Sequence, residues 1–505
     1  MKIASLKLET SYATANEEAV RMCDAALIMK DKGDCDGAQK VMRPLWERFG
    51  DRPQTDGLGP SIAAEVLLCV GVLTGWIGSR REIKGAQEAA KNFITESITY
   101  YESVSDLQKV AAGRAEIAYC YWRDGEADEA RIMLLEALQK LTAEGNTKAR
   151  ALLKLTTVEC SASRFNVALR LLEDNVFLFD RVTNHTIKGS YHHELAIVLR
   201  NLGAAERRDD YFQRAISEYE EADHHYELAN NLIYRAHVQN NLGFLLYNLS
   251  RFKRAHEYLD KARRLTASLR DKIGIAQIDE TRAQVFIAER NFVEAESVAR
   301  NAVSVFEKSG RQGLLADALI THGIALARLK EGQRAQFTLE KAIEVACGVG
   351  ALNKAGLAAL TMVEELDDLA PELLEQACNQ ASDWLAKSES REVLLRVVAA
   401  SSKIRTKVRG RLNREHASEV ILSRVDLQNK VDLQREVLEF EGSLIRRALA
   451  QANGSVTHAA SMLSMSYQAL AYIIGGRHKD LLKERSPVRR RGRKKDQQMR
   501  RLSSH

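Results

Sequence analysis

Proline is nearly missing from this sequence. The 505 residues contain five, Pro44, Pro53, Pro60, Pro371 and Pro487, and none falls between residues 61 and 370. Proline punctuates loops and strand ends, so so long a gap, rich in Ala, Leu, Glu and Arg, predicts helix after helix. Aromatic residues make up only 6%. The seven cysteines are odd in number and scattered, which excludes a disulfide scaffold and a Cys-x-x-Cys zinc site and fits a reducing cytoplasm. No long apolar run is present. The nearest, Ile62 to Ile77, is broken by Glu65, glycines and Thr74 and is shorter than the roughly 20 residues that cross a bilayer, so no membrane span is expected. The first residues, MKIASLKLET, lack the apolar centre of a secretory signal.

Catalytic motifs are missing as well. The sequence has no Gly-x-x-x-x-Gly-Lys-Ser/Thr phosphate loop, no Gly-x-Gly-x-x-Gly after a strand, no His-Glu-x-x-His and no nucleophile elbow. No enzymatic activity and no cofactor are therefore expected. The pairs His192-His193 and His224-His225 do not predict a metal site, because neighbours on a helix point about 100° apart. Glu364-Glu365 and Asp367-Asp368 read as solvated helical surface.

What remains is 45% hydrophobic and 28% charged, ordinary for a folded protein. At 505 residues the chain is too long for one core and must hold several domains or a repeat. Its net charge of +6 is unevenly placed: residues 477 to 505 carry +9, leaving −3 for the rest. That asymmetry points to a C-terminus that faces nucleic acid.

The body repeats. Gly243 is followed at offsets of 12, 16 and 19 by Ala255, Leu259 and Ala262. The same offsets join Gly203 to Ala215, Tyr219 and Ala222, Ala283 to Ala295, Ala299 and Ala302, and Gly323 to Ala335, Leu339 and Ala342. These four units recur every 40 residues, with polar turns such as Leu249 to Phe252 and Lys330 to Gln333 between helices. The pattern resembles the tetratricopeptide repeat at its small-residue positions, without that family's closing proline. Because 40 exceeds the family's usual 34, longer helices or connections are expected. Weaker copies centre on Ala38, Ala86, Ala130 and Ala168, for about eight helix pairs.

The resemblance implies an all-α fold in which a tetratricopeptide-like α-solenoid holds a protein or peptide partner on a concave face built from first helices. Counting repeats from Ala196, Ala236, Ala276 and Ala316, the inward candidates are Arg200, Asn201, His237, Asn240, Asn241, Gln277, Glu280, Gln284 and Asp317. Asn201 and Asn241 share the sixth position of adjacent repeats, where asparagines of peptide-binding members bond a ligand backbone through one donor and one acceptor.

After Pro371 the repeat fades. Residues 401 to 436 read as a basic, helical linker, and along the stretch from about Glu415 to Gln451 Val420, Leu427, Val431, Leu438 and Ile445 form an apolar stripe that calls for a partner, either the solenoid or, in the favoured reading, a second copy in a homodimer. Residues 439 to 482, EFEGSLIRRALAQANGSVTHAASMLSMSYQALAYIIGGRHKDLL, then show a helix ending near Asn453-Gly454, a short helix capped by Ser455, a turn at Ser464 to Ser466 and a third helix with Leu470 and Ile473 inside.

This segment closely resembles the Fis-type helix-turn-helix of bacterial regulators. By that resemblance Thr457 meets a phosphate, and Ser466, Tyr467, Gln468, Ala469, Ala471 and Tyr472 lie on the recognition helix. The family's basic residues there are replaced by Tyr467, Ala471 and Tyr472, and its turn glycine by Ser464. Further contacts are expected from Arg477, His478, Lys479 and the run Arg489, Arg490, Arg491, Arg493, Lys494, Lys495. The expected organisation is residues 1–14 as an N-terminal segment, 15–400 as solenoid, 401–436 as linker, 437–482 as helix-turn-helix and 483–505 as basic tail. The function that follows is a cytoplasmic, nucleoid-associated bacterial transcription regulator. The alternative is a scaffold or adaptor whose helix-turn-helix serves packing.

Overall fold

The computed structural model describes residues 2–386, 388, 390, 392–406 and 432–485. Their regular structure is entirely helical. Val420, Leu427, Val431 and the basic run Arg489 to Lys495 lie outside the described residues. The chain divides into two compact units, Met1–Thr406 and Lys407–His505.

The first unit is a succession of antiparallel helix pairs. They are α1 (Lys2–Asp31) with α2 (Cys35–Met42), α3 (Pro60–Arg81) with α4 (Ala86–Ser103), α5 (Leu107–Arg123) with α6 (Ala127–Lys140), and α7 (Asn146–Ser161) with α8 (Phe165–Glu173). A single short helix, α9 (Val176–Arg181), precedes α10 (His185–Glu206) with α11 (Asp209–Leu228), α12 (Leu232–Asn248) with α13 (Phe252–Ser268), and α14 (Lys272–Ala288) with α15 (Phe292–Ser309). Then follow α16 (Gln312–Arg328) with α17 (Gly332–Gly348), α18 (Leu352–Glu365) with α19 (Pro371–Leu385), and a last helix, α20, at 392–406.

The period has a simple origin. Helices α12, α13 and α14 are each 17 residues long and are joined by three-residue turns, so one pair of helices with its two turns makes 40. Each turn contains one left-handed residue: Ser250, Arg290 and Lys330 within pairs, Asn230, Arg270, Gly310 and Gly350 between them. That conformation lets the next amide reach back five residues, as Arg251 N–H does to Leu246 O (2.8 Å) and Glu331 N–H to Leu326 O (3.0 Å). Asn231 and Asp271 then cap the following helices through their side chains.

Pairs pack where the sequence places small residues. A Cβ on Gly243 would lie 2.7 Å from Leu259 Cγ, and one on Gly323 2.6 Å from Leu339 Cγ, so only glycine admits the crossing. Ala215, Tyr219, Ala255, Leu259, Ala295, Ala299, Ala335 and Leu339 are fully buried. Two readings need correction. The repeat does not fade at Pro371: that proline opens α19, where its missing N–H is harmless, and α19 packs on α18 at Gly356 and Leu385, so that nine pairs lie among the described residues. Helix α3 is also long and apolar enough to cross a membrane. Most of it is instead buried, with Val66, Val70, Leu73 and Ile77 packed inside the unit.

The beginning of this unit returns to meet its middle. The carbonyl of Asp31, at the end of α1, accepts hydrogen bonds from Asn231 Nδ2 and from Thr186 Oγ1, the latter at 3.3 Å. Its carboxylate binds Arg150 and Asn184. The guanidinium of Arg311 holds Glu82 and the carbonyl of Arg80. Gly33, at φ +80°, sits so close that a Cβ would lie 2.9 Å from Ile233 Cδ1. These contacts join residues 119 to 231 apart in sequence.

The second unit contains α21 (Leu433–Gln451), α22 (Val456–Met462), α23 (Tyr467–Gly476) and a 3₁₀ turn at Lys479–Glu484. Ile445, Leu449, Ala459, Ala460, Leu470, Ile474 and Leu481 form its core. Ile445 therefore does not belong to an exposed stripe; the turn after α21 brings α22 and α23 back over it.

Candidate functional sites

The inward candidates of the solenoid separate into two groups. His237, Asn240, Asn241 and Gln277 line a cavity of about 180 Å³ between α12 and α14. His237 and Asn241 also border a larger cavity of about 410 Å³, lined on its other side by the N-terminal helices. The others are engaged with the protein itself. Asn201 Nδ2 donates to the carbonyl of Ile197 on its own helix (2.8 Å), Arg200 lies over the ring of Phe244, and Gln284 donates to Glu280, which also accepts from Thr321 (2.7 Å). Asp317 pairs with Lys354 at 2.6 Å.

Asn241 is not free either, since its Nδ2 donates to His193 Nε2 at 2.9 Å. That bond needs an unprotonated nitrogen. Burial supplies one by pushing the His193 imidazole down to about 3, with His237 and Arg200 adding to the effect. Next to it, burial pushes the Glu194 carboxyl up to about 7, against a hydrogen bond from Thr157. His237 is exposed to the cavity yet surrounded by helices, and this enclosure holds it below the ordinary imidazole range. Asn240 Oδ1 is buried and has no partner among the described residues.

In the second unit, the geometry begins with two left-handed turns. Asn453 (φ 48°) and Gly454 (φ 77°) end α21, and Gly454 N–H reaches Leu449 O at 2.8 Å. Ser455 caps α22. Ser464, at φ 54°, makes the second turn, and Ser466 caps α23 by accepting from Ala469 N–H (3.2 Å). Leu470 and Ile474, one helical turn apart, pin α23 to the core, whereas Ile473 is only partly buried. The opposite side is open: Tyr467 is 46% and Tyr472 80% exposed, and Thr457, Gln468 and Ala469 are exposed too.

Residues 437–472 match the sequence model of the family described as "Bacterial regulatory protein, Fis family". The second unit carries a Fis-type helix-turn-helix. No curated protein matches the chain by sequence. Among solved structures, it is similar to a signal transduction ATPase with numerous domains and a tetratricopeptide repeat sensor from Pyrococcus horikoshii, at 12% identity and a TM-score of 0.49, over 71% of this chain and 54% of that one. This chain thus spans about half the length of that protein. A Rap protein complexed with competence and sporulation factor aligns at 11% identity and TM-score 0.45, over 66% of this chain and 99% of the other. The apo form of RapI aligns at 13% and 0.47, over 68% and 99%.

Within the Fis-type domain, one expected DNA contact is displaced. His478 is only 7% exposed, and its Nε2 meets Glu441 Oε2 at 2.8 Å, against the close face of Gly442. It locks the end of α23 to α21 instead of facing outward. Arg477 and Lys479 remain exposed on either side. Arg446 ties the 3₁₀ turn to the same helix through Asp480 (2.8 Å) and Glu484 (3.0 Å), and Leu481 completes the core. The apolar spacing of 478 to 484 carried no sign of this closing turn, because one leucine makes the whole contact. In the solenoid, the residues that the sequence reading did not find are Lys30, Glu116, Arg123, Arg150 and Lys154, on the first helices of weak repeats.

Proposed function

We propose that this chain is a transcription regulator that binds DNA through its Fis-type domain and receives a protein or peptide signal on its solenoid. The observation that carries this reading is α23, held by Leu470 and Ile474 from below, capped by Ser466, and open on the side of Tyr467, Gln468 and Tyr472. A short helix pinned in this way can enter a major groove and present its first residues to base edges. Gln468 offers the donor and acceptor pair that suits adenine, and Thr457 lies at the start of the preceding helix, where a hydroxyl meets a phosphate.

Helix α23 itself contains no charged residue. Phosphate affinity in this reading therefore comes from Thr457, Arg477, Lys479 and the tail Arg489 to Lys495, and base preference from α23. Arg200, Asn201, His237, Asn240, Asn241, Gln277, Glu280 and Gln284 form the partner surface of the solenoid, where Asn201 and Asn241 exchange their present bonds for a ligand backbone. The uncharged, aromatic surface of α23 is also what favours the second reading, a packing module of a scaffold protein.

Gel shift with the full chain on duplex DNA separates the two. Affinity is expected to fall steeply with salt, since several cations release counterions. Neutralising Arg489 to Lys495 should weaken all sequences alike, while Gln468→Ala should change the preference among them by about 1 to 3 kcal/mol at one position. Absence of any shift at low salt would establish the scaffold reading instead.

A further inference from the structure

The geometry points to the cavity on the inner face of the solenoid as a binding site for a small organic anion carrying a carboxylate or phosphate group. This inference goes beyond the reading above and does not depend on DNA binding. The cavity, about 410 Å³, is within the range of small-molecule sites. It is lined by six first helices, α1, α3, α5, α7, α10 and α12, together with Tyr226 of α11, and the contacts of Asp31 and Gly33 bring the earliest of them against the latest.

Its charge is unbalanced. Lys30, Arg123, Arg150 and Lys154 line it, against two carboxylates, Glu116 and Glu194. Glu116 is taken by Lys154. Arg150 is taken by Asp31, which also sits 3.5 Å from Lys30. Glu194 bonds Thr157 and has no cation partner among the described residues. Arg123 therefore has no carboxylate partner among the described residues; its guanidinium stacks 4.5 Å from the ring centre of Tyr119, another wall of the cavity.

The cluster is also poorly solvated. Burial, with Arg150 next, holds Lys30 below the ordinary lysine range, and burial does the same to Lys154. An entering anion relieves this crowding and gives Arg123 the charge-assisted partner it lacks. Tyr119 and Trp76 supply flat apolar surface for the rest of the molecule.

The test is thermal unfolding of the full chain titrated with succinate, citrate and adenosine monophosphate, with adenosine and sodium chloride at matched ionic strength as controls. At least one anion is expected to raise the unfolding temperature saturably, as a ligand of the native state must. The carboxylate and phosphate arms then identify the headgroup. Arg123→Gln should weaken half-saturation by about tenfold or more, as loss of a charge-assisted bond does, and Arg300→Gln on an exposed helix face should not. Lys30→Gln is the second variant should Arg123→Gln unfold. The proposal is overturned if no anion exceeds the controls up to tens of millimolar, or if Arg123→Gln and Lys30→Gln both respond as the wild type does. Loss of DNA binding with an intact anion response would remove the regulator reading and leave this one standing.

Discussion

Single side chains in the solenoid are tuned by enclosure more than by partners. His225 lies against His185 (Nδ1 to Nδ1, 3.1 Å) and stacks on His192, which in turn bonds Glu218. Burial, then the charges of His192, His185, Lys188 and His224, push its imidazole down to about 4. The unfolded chain, titrating near the ordinary value of about 6.5, takes up the proton first. Stability from this group is therefore present above about pH 6.5 and lost as pH falls towards 4. Glu194 acts in the opposite direction: its folded value, near 7, lies above the unfolded one, so its contribution is present in acid and lost as pH rises through neutrality. Because the two oppose each other over the same range, the comparison with a variant isolates the imidazole: between pH 6.5 and 4 the unfolding temperature of the wild type should fall relative to that of His225→Gln. Parallel curves for the two proteins would show that the imidazole cluster does not govern acid sensitivity.

Elements are delimited by backbone conformation at a few recurring positions. The left-handed residues at 230, 250, 270, 290, 310, 330 and 350 follow one another every 20, alternating between the turns within and between pairs. Only Gly310 and Gly350 are glycines, so five of these turns hold a side chain in a conformation that L-residues disfavour, outweighed by the packing of the helices on both sides. The turn of the Fis-type domain has the same feature at Ser464. Ser464→Gly should relieve about 0.5 to 1 kcal/mol there, the αL penalty less the added freedom of the unfolded chain. Hydrogen exchange of amides in residues 456–476 will show it as slower opening; unchanged or faster exchange would mean that the serine side chain supports the turn.

At the scale of the whole molecule, assembly is the property least visible in one chain. Helix α21 leaves Val437, Phe440 and Leu444 exposed, at spacings of three and four that place them along one side. In the homodimer expected for a reader of two groove faces, this side is covered by a second copy. Light scattering of the full chain should give twice the 56.5 kDa of the monomer, and Phe440→Glu with Leu444→Glu should halve the mass while keeping helicity. A wild-type monomer at concentrations well above those that saturate DNA would exclude dimerisation through α21.

The sequence by itself determined the helices, their pairing and the period. Glycine and alanine at offsets of 12, 16 and 19 are a local code, because two helices can cross closely only where both present small surfaces. It also determined the Fis-type domain, whose caps, turns and core lie within about 45 residues. Tertiary structure alone decided what the solenoid encloses. Lys30, Glu116, Arg123, Arg150 and Lys154 lie on α1, α5 and α7; helical pitch sets Arg150 beside Lys154, but only the packing of these three helices, with Lys154 on Glu116 and Arg150 on Asp31, brings the five together. It likewise turned His478 inward, although the sequence presents it between two cations, because the fold of the domain sets Glu441 of the facing helix 2.8 Å from its ring. Neighbours along a helix are set by its pitch, whereas neighbours across a superhelical turn depend on small rotations summed over many repeats, which no short segment records.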